Sequence, residues 1–170
     1  AWIMKGWALS KNGQIDEGIT LTKQGMDGWR GAGAEIARPW WLALQSEQYV
    51  LKGDYDAASA VLEEAIATVE QSGENLWLPE LKRLKGQLIL EMDATQVEDA
   101  EEHFKSAMSS ARELVSRFWE LRAATSLCTL MKARGDKKAA LEVIQPLYNG
   151  FTEGSETMDL RNARSLISAL

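Results

Sequence analysis

The stretch 42-LALQSEQYVLKGDYDAASAVLEEAIATV-69 decides the fold. It reads as two amphipathic helices joined by a tight turn. In its first half Leu42, Tyr49 and Val50 are apolar positions of a helix expected over about residues 35–52, from Glu35 to Lys52. Gly53-Asp54 then breaks the pattern. Glycine supplies the left-handed residue that closes a helix, and Asp54 can accept the free N–H groups that open the next. In the second half Ala58, Val61, Leu62, Ala65, Ile66 and Val69 recur at i, i+3, i+4 and i+7, the spacing of a buried stripe. That helix is expected over about residues 55–71, ended by Gly73.

The same script runs outward in both directions. Small residues Gly6, Ser46, Gly86 and Cys128 lie 40, 40 and 42 residues apart. Gly18, Ala58, Ala100 and Ala140 follow at 40, 42 and 40, and Gly25, Ala65, Ala107 and Leu147 keep step with them. Gly13, Gly53 and Gly135 mark a turn in three of the four units. Self-similarity at this period is the signature of stacked repeats, in which each unit buries on its neighbour the face it cannot hide alone. Small residues recur where two helices cross closely, and Leu, Ile, Phe104 and Trp fill the space beside them.

Four helix pairs are expected, in units of about 1–33, 34–73, 74–116 and 117–150. The first pair covers about 2–11 and 15–29, with Gly31 and Gly33 in the loop that follows. In the third, a helix over about 76–92 precedes one that starts after Thr95, where Thr95-x-x-Glu98 reads as a capping box. That turn is two residues longer than its counterparts, which accounts for the interval of 42. The fourth pair covers about 118–133 and 137–148. A loop then leads to a capping helix within 157–170, with Thr157 as N-cap and Leu160, Ala163, Leu166, Ile167 and Leu170 on its apolar face.

Composition narrows the function. The 170 residues carry 45% hydrophobic and 26% charged side chains, close to a globular average. A formal charge of −6 argues against a nucleic-acid surface, which needs clustered Lys and Arg. The lone Cys128 excludes an intrachain disulfide and suits a reducing, cytoplasmic setting. No stretch is apolar enough to span a membrane, and no secretory signal opens the chain. The sequence begins inside a repeat, so a piece of a longer protein is expected.

The helix-turn-helix unit resembles the tetratricopeptide repeat. Leu42, Ser46, Tyr49, Gly53, Ala58, Leu62 and Ala65 carry the likeness in the second unit, and Gly86, Ile89, Ala100, Phe104 and Ala107 in the third. The period exceeds the usual 34 residues, so longer helices are expected. Longer strings, WLPELKRLKGQL at 77–88, WELRAATSL at 119–127 and LYNGFTEG at 147–154 with Asp159-Leu160, are similar to one bacterial family. In that family a tetratricopeptide-like C-terminal region follows a class III adenylate or guanylate cyclase, or a winged-helix DNA-binding domain, and a predicted ATPase. The resemblance implies an all-α, right-handed solenoid of about four antiparallel helix pairs plus a capping helix. It also implies a non-catalytic docking or sensory arm in bacterial signal transduction.

By the same resemblance the first helices of the pairs line a concave face. It would carry Trp7 and Lys11, then Trp40, Ala43 and Glu47, then Glu80, Arg83 and Gln87, then Arg122, Thr125 and Thr129. Arg83 and Arg122 can each grip a carboxylate or phosphate in a bidentate pair. The plainer reading pairs them with neighbours such as Glu80 or Glu120. Ile3 and Trp7 stand where chaperone-tail binders carry a carboxylate clamp, which argues against that specificity.

Trp40 and Trp41 are about 100° apart on a helix and cannot share one core, so one faces the groove or the open N-terminal side. Trp77 and Trp119, 42 apart, favour packing. His103 shares a helix face with Asp99, but a solvated face is the reading preferred over a metal site. Cys128 reads as a buried structural thiol. The stretch from Gly150 to Gly154 lacks the Lys-Ser/Thr ending of a phosphate loop. No cofactor is expected. The reading is a scaffold for a protein or peptide segment, or for the chain's own upstream domains. The alternatives are an inducer-sensing arm using Trp7, Trp40 and Arg83, and a homodimer through Trp2, Trp7 or Trp41.

Overall fold

A computed structural model describes residues 1–33 and 36–170. Among these the chain is all-α, with nine α-helices, one 3₁₀ turn and no strand. It divides into two compact units, Ala1–Trp77 and Leu78–Leu170.

The first unit holds α1 (Trp2–Lys11), α2 (Ile15–Gly31), α3 (Arg38–Lys52), α4 (Tyr55–Ser72) and the 3₁₀ turn Asn75–Trp77. Helices α1 and α2 pair, α3 and α4 pair, and α3 packs on both members of the first pair. The turn at Gly53 forms as its sequence dictates. Gly53 is left-handed at φ 78°, and Asp54 accepts from the Ala57 N–H at 3.2 Å. The expected start of α3 at Glu35 lies outside the described residues. The described helix opens at Arg38, behind Ala37 at φ 60° and with Pro39 in its first turn, where a missing N–H costs nothing.

The second unit holds α5 (Leu78–Met92), α6 (Val97–Glu113), α7 (Arg117–Ala133), α8 (Lys137–Asn149) and α9 (Met158–Ala169). It repeats the arrangement: α5 with α6, α7 with α8, α6 on α7, and α9 against α7 and α8. Phe104, Met108, Ala123 and Leu127 fill one core, and Leu121, Ile144, Leu160 and Leu166 another.

The small-residue series are the crossings. Ser46 donates its hydroxyl to the Ala58 carbonyl at 3.0 Å, and Cys128 donates its thiol to the Ala140 carbonyl at 3.3 Å. A methyl on Gly86 would sit 2.7 Å from the Phe104 ring. Ala58, Ala100 and Ala140 have no exposed surface. Each member of the first series therefore meets its partner of the second across one helix pair.

Two expectations about helix starts need correction. The capping box at Thr95 does not form: α6 opens at Val97, and no side chain caps it. Asp93 takes both the N–H and the hydroxyl of Thr95, at 2.9 and 2.6 Å, so the threonine is spent on the turn behind it. The helix expected from Leu76 begins as a 3₁₀ turn and becomes α only at Leu78, because Pro79 has no N–H to return to the preceding turn. Thr157 holds the N-cap position of α9 with extended backbone, but its hydroxyl makes no capping bond.

One backbone position departs from its equivalents. Gly33 and Gly73 close the loops after α2 and α4 at φ 74° and 73°. Val115, 42 residues beyond Gly73, takes φ 54° in the loop after α6 and is 86% exposed. A β-branched residue in this region is a genuine outlier.

Candidate functional site

Some of the residues expected on the face of the first helices are drawn into a polar cluster in each unit. In the second unit α5 places Glu80 and Arg83 one turn apart, and α7 places Phe118, Trp119, Arg122 and Ser126 along one side. Arg83 donates from Nε and Nη2 to the two oxygens of Glu80 at 2.7 and 2.8 Å, and from Nη1 to the Ser126 hydroxyl at 3.4 Å. Arg122 donates from Nη1 to Glu80 at 3.1 Å. Its Nε and Nη2 form a second bidentate pair with Asp159 of α9, at 2.7 and 2.8 Å. The Arg122 guanidinium also lies over the rings of Phe118 and Trp119, at 4.8 and 5.2 Å.

Two guanidinium groups and two carboxylates thus neutralise one another across α5, α7 and α9. Glu80 is only 2% exposed and is satisfied from two sides. Burial works against the charge on Arg122, but the Asp159 hydrogen bond and the Glu80 charge outweigh it and hold its pKa above the ordinary value. Both arginines spend their fork geometry inside the fold. Sequence reasoning nominated Glu80 and Glu120 as plain partners. Glu80 takes that part, whereas Glu120 pairs with Arg112. It missed Asp159, which arrives from beyond a loop, and Ser126.

The remaining members of that face are spread differently. Gln87 and Thr129 are exposed. Thr125 and Thr129 turn their hydroxyls back onto the carbonyls of Leu121 and Thr125, both at 2.8 Å. Ala43 is buried. In the first unit Trp7 donates from Nε1 to Glu47 at 2.8 Å, Lys11 pairs with the same carboxylate at 3.3 Å, and its ammonium lies 5.4 Å from the Trp7 ring. Trp40 stacks on Trp77 at 5.1 Å, and Trp41 meets Trp29 edge-on at 6.3 Å. The adjacent tryptophans therefore do part company, each into its own aromatic pair.

His103 is half-buried, and burial, then Lys85, press its pKa below the ordinary value. Cys128 is buried, and burial pushes its thiol up to about 11, which keeps it protonated and unreactive. The loop from Gly150 to Gly154 borders a cavity of 280 Å³ between Tyr148, Phe151 and Leu160. That is below the roughly 300–1,000 Å³ of usual small-molecule sites. Among the described residues no helix is long and apolar enough to cross a membrane.

No protein-family model matches the chain, and no curated protein matches it. Solved structures do. A kinesin light chain-like protein of Podosopora anserina, with nearly identical TPR-like repeats, aligns over 99% of this chain and 82% of its own. Identity is 15% and the TM-score 0.67. A single-substitution variant of that protein gives the same coverage and identity with a TM-score of 0.68. The fold is a TPR-like helical repeat.

Proposed function

We propose that this chain is a non-catalytic scaffold that holds a protein or peptide segment, or a neighbouring domain of its own polypeptide, in bacterial signal transduction. The observation that carries this reading is the paired state of its two best-placed cations. Arg83 and Arg122 are locked by Glu80 and Asp159 into a charge-balanced, rigid cluster. Such a cluster suits recognition by shape and hydrogen bonding. A reaction centre instead needs a group poised to attack or to exchange a proton. Trp7, Lys11, Trp40 and Glu47 in the first unit, and Arg83, Gln87, Arg122 and Thr129 in the second, are the contact residues of this proposal. The likeness of the strings from Glu74 onward to bacterial signalling proteins supports the cellular setting, and cytoplasmic placement follows from it.

Photoreactive amino acids installed at the exposed positions Gln87 and Thr129 of the full-length protein test the reading in living cells. The expected product is a covalent adduct with one protein segment, identified by mass spectrometry. Irradiation that yields no protein adduct, or a purified chain that turns over nucleotide, overturns it.

A further inference from the structure

The segment joining α8 to α9 is longer than the connection demands. Residues 114–116 suffice to carry the chain from α6 to α7, whereas residues 150–157 carry it from α8 to α9. The extra chain is fastened at both ends. The Arg117 guanidinium donates to the Gly150 carbonyl at 3.1 Å, and the Phe151 N–H donates to the Tyr148 carbonyl at 3.1 Å. At the far end Gly154, at φ 73°, turns the chain, and the Thr157 N–H closes onto its carbonyl at 2.8 Å. The fastened loop walls the cavity of 280 Å³ between Tyr148 on α8 and Leu160 on α9. Binding residues concentrate on loops that a rigid scaffold holds in one shape.

The lining selects among ligands. Tyr148 and Phe151 contribute aromatic rings, Leu160 an apolar wall, and Thr152 and Ser155 hydroxyls. Glu153 contributes the one carboxylate of the lining, and among the described residues no cation pairs with it. No lysine or arginine lines the cavity, so an anion would meet a like charge without compensation. A bare metal ion needs several hard donors, and among the described residues no three Asp, Glu, His or Cys side chains gather to hold one. At roughly 30 Å³ per water, the cavity has room for about nine water-sized groups, enough for a small amine and too little for a nucleotide. An organic ammonium satisfies every wall at once. Its charge is attracted by the carboxylate and by the aromatic rings, and its methyl or methylene groups cover the apolar surface.

We propose that the cavity under the α8–α9 loop binds a small free alkylammonium compound of the choline type, held by the Glu153 carboxylate and the Tyr148 and Phe151 rings. Neither Gln87 nor Thr129 lines it, so it stands or falls independently of the scaffold reading. The probes are choline and its uncharged isostere, the alcohol in which carbon replaces the nitrogen. Each is titrated into the isotope-labelled whole chain and followed by amide chemical shifts, with ionic strength held constant by sodium chloride. Shifts confined to residues 148–160 are expected, with the alcohol bound about tenfold more weakly than choline. Glu153→Gln and Phe151→Leu change the volume of the lining little. Each should weaken choline about fourfold and leave the alcohol unchanged, with ellipticity preserved. Vesicles of phosphatidylcholine present the same ammonium on a membrane, and the chain is expected to stay in the supernatant when they are sedimented. Equal affinity for choline and the alcohol, no shift in this loop, or unchanged choline affinity in both variants overturns the site. Sedimentation of the chain with the vesicles overturns its assignment to a free solute.

Discussion

Glu80 holds two guanidinium groups from a position almost without solvent. Desolvating such a carboxylate is tolerable only while both partners stay in place, and removing its charge leaves Arg83 and Arg122 uncompensated. Glu80→Gln is therefore expected to lower unfolding stability by about 3–5 kcal/mol, read as a shift of the urea midpoint. Cys128 makes a prediction of opposite character. Its folded pKa is raised from 9.0 to about 11, so the thiol's contribution to stability is complete below pH 9 and is lost as pH climbs toward 11. Wild-type stability should fall through that window more steeply than that of Cys128→Ala, with the two curves parallel at pH 7–8. The sequence showed Cys128 as the small residue of its crossing, because position within the repeat settles burial. It showed Glu80 and Arg83 as partners, because i and i+3 share a helix face. The link from Arg122 to Asp159 was hidden, since nothing local ties two residues separated by a whole helix pair and a loop.

At the level of elements, α9 is fastened in two ways. Leu160, Ala163 and Leu166 bury against α7 and α8, and Asp159 clamps Arg122 at the helix start. The second fastening can be removed without touching the first. Asp159→Asn is expected to speed amide hydrogen exchange in the first turns of α9 by about tenfold, while α5 and α6 keep their protection. Mass spectrometry of exchanged peptides resolves the two regions. Most helix limits were legible because glycine and aspartate punctuate the repeats. The turn after α5 was misread: Thr95 and Glu98 have the spacing of a capping box, but a nearer acceptor, Asp93, wins the threonine.

Across the whole molecule, acidic and basic side chains are interspersed, yet the acids outnumber the bases by 25 to 19. The sequence pI of about 4.9 sets where mutual repulsion between copies vanishes. Solubility measured by light scattering should reach its minimum near pH 5 and recover on either side. The fold class was open to sequence alone, since three in-phase series of small residues have no other economical explanation. What the chain holds was not, because binding surfaces are made of residues that packing leaves unconstrained.

Val115 points to an asymmetry that a protein engineer can exploit. Two sister loops spell glycine where the third spells valine, and at 86% exposure the valine gains nothing from burial. Reverting it to its siblings' letter relieves backbone crowding of roughly 1–2 kcal/mol and returns about half of that as freedom in the denatured chain. Val115→Gly should thus melt a degree or more higher than the parent in a calorimeter, a rare case in which deleting a side chain toughens a protein.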